Sequence, residues 1–569
     1  MALDSSTIKR NAGRVFIDKL LAPLADKGRV RLILLLLLNL ISNSAFFIYE
    51  IGFNHHYKNP FAILLATIIL SCTLAYIETA IAYCFQRYRR LQRIYMGVVV
   101  AIYNLLIVVD YFCLYSFQSV FTQNFLDIVR ATSVSESTQF LVTYMNARVI
   151  IEIVAGMAIL NWLLVLLSRW IARIHPLQIA ISILGVIGLC YWIYMVIGVV
   201  LYRKITYIPE STSPTRFAYY FLTSRNRSNQ IHELREACKN LSTSNCFADR
   251  PNVVVVIGES ASVYHTQLYG YEKATTPRMG NLASKGELIA FDDAIAVEDN
   301  TLRVMKSVFS PDSMGVAFST TPLFPAIFKS CGYTSHCYEN EFFVGGYFFL
   351  SDTELSGLLF DYRNTEGYQY DGDLISTIRA DSIGGLYIVH LWGQHYLYDE
   401  RYPAEWDIFK AEQYDEKRWN LRQRQIIAHY DNATLYNDYV LEQIIDKFRS
   451  TNCVLIYFSD HGQEVFELRD FNGHGTAPQS PDLRYQIRVP MFIWMSDEYR
   501  KAHPDIYQQA VANQQTPITT DDVSHTILGL AGIETPWYNP RRDFLHPDYD
   551  KTKRRIVLHS IDYDSHIGN

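Results

Sequence analysis

Charge is scarce in this 569-residue sequence: Asp, Glu, Lys and Arg make up 19% of it, against about 25% in an ordinary soluble domain. That scarcity excludes a self-repelling disordered chain. There is no basic excess either, since 51 Lys and Arg face 57 Asp and Glu for a net charge of −6, which argues against a nucleic-acid binder. Glycine and proline, at 28 and 19 residues, leave no room for collagen. None of the nine cysteines forms a CxxC pair, so no cysteine zinc motif is present. What the sequence does have is apolar and aromatic: 49% hydrophobic residues, 40 Tyr and 31 Phe, with a mean hydropathy of +0.02. A coiled coil is excluded on the same composition. The length suffices for two to four domains. The average conceals a split, because the first 200 residues are far more apolar than the rest. A membrane anchor joined to a water-soluble domain is the expectation.

Five apolar stretches approach the ~20 residues needed to cross a hydrocarbon core: 31–51, 61–84, 94–115, 149–168 and 178–202. No small-residue cleavage site follows the first, so it reads as a retained helix and not a signal peptide. Lys9, Arg10, Arg14, Lys19, Lys27, Arg29 and Arg31 precede span one. Arg87, Arg89, Arg90 and Arg93 follow span two, and Arg169 and Arg173 follow span four. The opposite loops carry only Lys58, Arg130 and Arg148. The positive-inside rule then places the N-terminus in the cytoplasm and everything after 203 on the far side. Residues 1–203 thus form the anchor, with an outer loop at 116–147, and 204–250 form a linker or interfacial helices. Glu50, Asp110 and Glu152 fall near the outer ends of their spans and Glu78 near an inner end. Intramembrane acids are functional candidates: the outer three are read either as interfacially solvated or as holders of a cationic lipid headgroup.

From 251 to 569 the pattern changes. The runs VVVVIG (253–258), LYIVHLW (386–392), CVLIYFS (453–459), VPMFIWM (489–495) and RIVLHS (555–560) are apolar on both faces. They predict buried, mostly parallel strands, with helices over 417–448 and 519–532. The expected fold is an α/β doubly wound sheet, in which ligands sit beyond the carboxyl ends of the strands. Three strands run into ligand-type residues: Glu259, Asp460 with His461, and Gln394 with His395. Two carboxylates and an imidazole suit zinc.

These segments carry a resemblance. VVVVIGES, LYGYEKATTPRM, NTLRVMKSVFS, LYIVHLWGQHYLYDERYP, YFSDHGQEV and FNGHGTAP through VPMFIWMS resemble the bacterial membrane-bound phosphoethanolamine transferases of the sulfatase and alkaline phosphatase superfamily. The likeness covers about 251–535 and extends to the five-span anchor and to RATSVSESTQFL in the outer loop. SDHGQEV and NTLRVMKSV look most like the branch that modifies lipopolysaccharide core. The resemblance implies a sulfatase-like domain in the periplasm and an anchor in the bacterial inner membrane. It implies Thr301 as nucleophile and Glu259, Thr301, Asp460 and His461 as ligands of one zinc ion, with a second, weaker site left open. His395 and His474 would contact the phosphoryl group or that second zinc. The implied reaction is ping-pong. Thr301 attacks phosphatidylethanolamine, diacylglycerol leaves, and phosphoethanolamine passes from Thr301 to an envelope glycolipid, lipopolysaccharide core or lipid A.

Neighbouring residues have blander readings. Ser260 and Ser262 are expected to shape the turn after the first strand. Thr301 suits a helix N-cap as well as a nucleophile. His390 reads as a core histidine, Glu464 as an outer or surface group, and nothing beyond composition supports His265 or His336. The sequence departs from the family at Gln463, where DHGE is common, and at Lys306-Ser307, where many members have Pro-Cys. In an oxidising compartment Cys238 and Cys246 would close a short loop, and Cys331 with Cys337 would form a second pair. Two other functions are weighed. A phosphoglycerol transferase of the lipoteichoic-acid-synthase kind would share the anchor, the threonine and the Asp-His pair. A silent envelope scaffold would hold no metal and carry no modified threonine.

Overall fold

The computed structural model describes residues 27–566 apart from 55–59, 118, 123–124, 127–128, 130–146, 175–179, 191–211, 224–226, 240, 243–244, 313–319, 341–352, 365, 381–383 and 476–482. The chain divides into an N-terminal unit ending at Arg225 and a C-terminal unit beginning at Asn226. That division falls inside the expected 204–250 linker.

Among the described residues, the N-terminal unit has four helices long and apolar enough to cross a membrane: α1 (Lys27–Tyr49), α2 (Pro60–Cys84), α3 (Arg89–Phe117) and α4 (Ala147–Ile171). They match the first four expected spans. Of the fifth, only an apolar helix over Ala180–Cys190 is described; the rest of 178–202 and most of the outer loop 116–147 lie outside the described residues. Leu, Val and Ile dominate these helices because lipid offers the backbone no hydrogen bonds, so each segment must satisfy its own. Polar side chains turn inward. Asn43 Nδ2 donates to Ser71 Oγ at 2.9 Å, and Tyr103 donates to Glu78 at 2.6 Å. A further helix, α5 (Ser213–Thr223), packs in the same unit.

The C-terminal unit opens with α6 (Arg227–Lys239) and is organised by a seven-stranded sheet. In chain order its strands are β1 (Asn252–Gly258), β2 (Leu288–Ala290), β3 (Thr334–Glu339), β4 (Tyr362–Arg363), β5 (Gly385–His390), β6 (Cys453–Ser459) and β7 (Met491–Met495). The spatial order is β2-β7-β6-β1-β5-β3-β4. β1 pairs in parallel with both β5 and β6, while β7 runs antiparallel to β6 and β2. Val253, Val255 and Ile257 enter one core, and Val254 and Val256 enter the other. That two-sided burial is why VVVVIG shows no alternation. Each buried Val contributes about 1.5–3 kcal/mol of transfer free energy.

Three helices matter for the site: α7 (Thr301–Phe309), α8 (Leu421–Phe448) and α9 (Val523–Leu530). Asn420 starts α8 with a capping box shared with Gln423. The expected strand at 555–560 is instead a small hairpin outside the main sheet, Ile556–Val557 against Ile561–Asp562. Positive φ at Leu558 and His559, 48° and 64°, turns the chain back before a long strand can form.

Neither expected disulfide is present. Cys238 lies on α6, buried in the core, and bonds the backbone at Leu323. The Cys246 sulfur turns instead to the carbonyl of Cys331, 3.9 Å away. Cys337 sits within β3, between β5 and β4, where the ladder fixes its direction into the core.

Candidate active site and metal centre

β1 and β6 end side by side, so the residues that follow them meet although 200 positions apart in sequence. Ser260 adopts φ +57°, a backbone strain that reverses the chain after Glu259. Its N–H donates to Asp460 Oδ1 at 3.0 Å, and the His461 N–H donates to the same oxygen at 2.6 Å. Asp460 Oδ2 is buried and accepts no hydrogen bond. It lies 3.2 Å from His461 Nε2.

Glu259, Asp460 and His461 are all fully buried, and their ligand atoms lie within 4.8 Å of one another. His461 Nδ1 donates to the carbonyl of its neighbour Gly462 at 2.8 Å. The Nε2 lone pair is therefore left facing the two carboxylates. Two carboxylates, one of them with an uncompensated buried oxygen, and one imidazole are a donor set that suits a divalent metal ion such as zinc.

Thr301 begins α7. Its cap is not its own side chain: Asn300 Oδ1 accepts the Arg303 N–H at 3.3 Å. That correction to the expected N-cap has a consequence for chemistry, because it leaves the Thr301 hydroxyl available. Thr301 Oγ1 lies 3.1 Å from Glu259 Oε2 and 3.3 Å from His461 Nε2. Ser260, by contrast, donates its hydroxyl to Glu259 Oε1 at 2.6 Å. Ser262 caps a short 3₁₀ turn through the Tyr264 N–H. The far end of α7 is fastened as well. Ser524 and His525 of α9 donate to the carbonyls of Ser310 and Pro311, and Arg542 also donates to Pro311.

The loop after β5 brings in His395. Asp371, buried, accepts the N–H groups of Trp392 and Gly393 at 2.9 and 3.0 Å and the Asn340 amide at 2.9 Å. Gly393 takes φ +48°, and a Cβ there would meet Glu259 N and O at 2.9 Å, so only glycine permits the approach. Gln394 N–H then bonds the Glu259 carbonyl at 2.9 Å. The His474 ring lies tilted against that of His461, their centroids 4.0 Å apart. Its Nδ1 bonds Gln463 Oε1 at 2.8 Å, while Gln463 Nε2 donates to Tyr398 at 2.6 Å. Burial first, then the neighbouring His461 imidazole, holds His474 well below 6.5. His395 is lowered likewise, by burial and then by Arg401 and His461. Both are neutral at pH 7. A neutral His474 whose Nδ1 hydrogen goes to Gln463 presents a bare Nε2, suited to accepting a proton or binding a cation.

The remaining candidates lie elsewhere. His390 sits in β5 with Nδ1 on Glu339 Oε1 at 2.8 Å, and His336 stacks on Tyr387 within the sheet. Glu464 is buried and pairs with Arg469 at 3.6 Å. His265 bonds Asp431 and Glu467. In the N-terminal unit, Asp110 is buried and paired with Arg216, Glu152 pairs with Arg148 on the surface, and Glu50 is buried. Asp110 thus has a cationic partner inside its own unit. Asn300, Asp371 and Gln463 were not singled out for these roles. Only Asn300 had a local signal, as an N-cap residue type before an amphipathic helix.

A family model described as sulfatase matches residues 251–533. Among relatives, phosphoethanolamine transferase EptC of Escherichia coli O18:K1:H7 is 24% identical over 77% of this chain and 79% of its own length. CptA, the phosphoethanolamine transferase of Salmonella typhimurium, is 25% identical over the same shares, 77% and 79%. The crystal structure of the C-terminal periplasmic domain of E. coli EptC in complex with Zn aligns with a TM-score of 0.50 at 25% identity, covering 58% of this chain and 99% of that one. The integral membrane lipooligosaccharide phosphoethanolamine transferase A of Neisseria meningitidis shares the fold over 90% of this chain and 97% of its own, with a TM-score of 0.58 and 18% identity. Strand order, strand-end residues and these likenesses agree: residues 251–533 are a sulfatase-family domain, and the relatives of this chain are enzymes named phosphoethanolamine transferases.

Proposed function

We propose that this protein transfers phosphoethanolamine from phosphatidylethanolamine to a cell-envelope glycolipid, lipopolysaccharide core or lipid A, through a covalent intermediate on Thr301. The observation that carries the reading is the position of Thr301 Oγ1, at 3.1 Å from Glu259 and 3.3 Å from His461. A threonine hydroxyl is a weak nucleophile at neutral pH and needs activation. Glu259, Asp460, His461 and Thr301 would hold zinc, which lowers the pKa of a coordinated hydroxyl and neutralises charge on phosphoryl oxygens when bound.

The chain's own groups account for the proton traffic. Glu259 Oε2 accepts the Thr301 hydroxyl hydrogen and orients a lone pair outward. The Thr301 oxygen bonds to phosphorus as its proton passes to Glu259 Oε2, and the bond from phosphorus to the diacylglycerol oxygen breaks, that oxygen taking a proton from water. In the second half, the acceptor's oxygen attacks the same phosphorus and Thr301 leaves, recovering its proton from Glu259. His474 Nε2, bare and neutral, takes the acceptor's proton. The α7 N-terminus also favours negative charge at Thr301.

The N-terminal helices fit an anchor in the bacterial inner membrane, N-terminus in the cytoplasm and catalytic domain in the periplasm, where the lipid donor is at hand. The relatives act as support for the substrate class: one is named a Kdo(2)-lipid A phosphoethanolamine 7''-transferase, from E. coli, 27% identical over 51% of this chain and 53% of its own. Mass spectrometry of envelope lipids and glycans from cells expressing wild type or Thr301→Ala tests the reading. Wild type adds phosphoethanolamine and the variant does not; equal addition by the variant contradicts it.

A further inference from the structure

A groove of about 490 Å³ opens beside the turn that carries Glu259 and is lined by Tyr264, Tyr271, Tyr414, Trp419, Arg418 and Arg488, among others. Its volume falls within the ~300–1,000 Å³ of small-molecule sites. Both walls are continuous with the catalytic strand ends. Tyr264 and Tyr271 follow Glu259 on the segment after β1. Opposite them, Trp419 Nε1 and Arg418 Nη2 donate to the carbonyls of Phe466 and Glu467, on the segment after Asp460 and His461. The Tyr269 hydroxyl, also at the groove, bonds Met491 at 2.5 Å. Met491 pairs with Phe458 near the carboxyl end of β6. The groove therefore lies at the same end of the sheet as Thr301.

Its lining is built rather than incidental. Asp431, fully buried, accepts the hydroxyls of Tyr271 at 2.8 Å and Tyr414 at 2.5 Å and bonds His265 at 2.7 Å. With those hydroxyls tied inward, the tyrosines offer ring surface to the groove. The Arg418 guanidinium lies 4.3 Å from the Trp419 ring centroid, and that of Arg488 lies 5.9 Å from that of Tyr264. The exposed carboxylates of Glu272 and Asp415 complete the lining. Fixed aromatic faces bordered by both guanidiniums and carboxylates suit a ring with an apolar C–H face and a rim of hydroxyls. A hydrocarbon chain would press apolar surface against four charged groups, and a nucleic acid would meet two carboxylates.

We propose that this groove binds a sugar ring of the acceptor glycolipid. The proposal rests on the transferase reading and adds where the acceptor is held. The test uses full-length protein in detergent carrying Thr301→Ala, so that no turnover occurs, and the soluble core oligosaccharide released from bacterial lipopolysaccharide as probe. Saturation-transfer NMR and titration give its dissociation constant. Trp419→Ala and the exposed Arg418→Ala should each weaken binding tenfold or more, and Trp419→Phe should restore most of it. In otherwise wild-type protein the same substitutions should raise KM for the oligosaccharide more than they lower kcat. Dissociation constants within twofold of the parent for both alanine variants overturn the groove assignment. Failure of the transferase reading shows separately, as wild-type protein that transfers no phosphoethanolamine.

Discussion

Gln463 Oε1 bonds His474 Nδ1 at 2.8 Å, and this one contact decides what His474 offers the site. An amide carbonyl accepts a hydrogen without attracting a positive charge, so the imidazole stays neutral with Nε2 bare. Gln463→Glu would place a carboxylate on the same nitrogen and raise the pKa of His474 from its depressed value. Because the neutral ring is the proton acceptor, activity then falls on the acid side at higher pH than in wild type. Profiles of kcat/KM between pH 5 and 8 check this; an unshifted acid limb contradicts the role given to His474.

Asp110 and Arg216 form a buried pair at 2.5 Å in the N-terminal unit, joined by the Ser213 hydroxyl and the Phe121 N–H. Removing one partner from such a pair costs ~3–5 kcal/mol, because the other charge stays buried. Arg216→Ala should lower the thermal midpoint in detergent sharply, and adding Asp110→Asn should recover part of it. A midpoint unchanged by Arg216→Ala would remove the pair from the account of this unit's stability.

How much of this was legible in the sequence depends on range. β1, β5 and β6 were visible because burial on both faces writes itself as continuous apolar runs. Glu259, Asp460, His461 and His395 were visible because they stand where those runs stop. Their convergence is a matter of strand order, which periodicity does not encode. Gln463 and Asp371 were illegible in role, since each acts through a partner brought near only by folding: His474 across the short hairpin at 464–473, and the N–H groups of Trp392 and Gly393, 21 and 22 residues on. The Asp110–Arg216 pair spans 106 positions and has no local sign. RIVLHS carried a strand pattern, but two left-handed residues overrode it.

His265 provides a pH test of stability away from the catalytic residues. Burial opposes its charge, but Asp431 and Glu467 more than compensate and hold its pKa up to about 10, against an ordinary 6.5. A folded-state pKa above the unfolded value stabilises fully below about 6.5, and the benefit fades as pH rises through about 10. The gap in unfolding midpoint between wild type and His265→Asn should therefore be widest at pH 6 and shrink steadily toward pH 10. A gap that widens with pH contradicts the charged assignment.

Asp460 tests the metal centre independently of turnover. Asp460→Ala deletes the oxygen that the chain leaves without a hydrogen bond, together with the anchor for the Ser260 and His461 N–H groups. Elemental analysis of purified protein should give about one zinc per wild-type chain and at least a tenfold loss of affinity in the variant. Full occupancy in the variant would count against this ligand set.

The central claim is that Thr301 carries the transferred group. Full-length protein incubated with phosphatidylethanolamine and no acceptor, quenched in acid and digested, should yield the peptide containing Thr301 heavier by one phosphoethanolamine. Adding acceptor glycolipid before the quench should discharge it. An unmodified Thr301 peptide under conditions where transfer proceeds, or the added mass on Ser260 or Ser262 instead, would contradict the account.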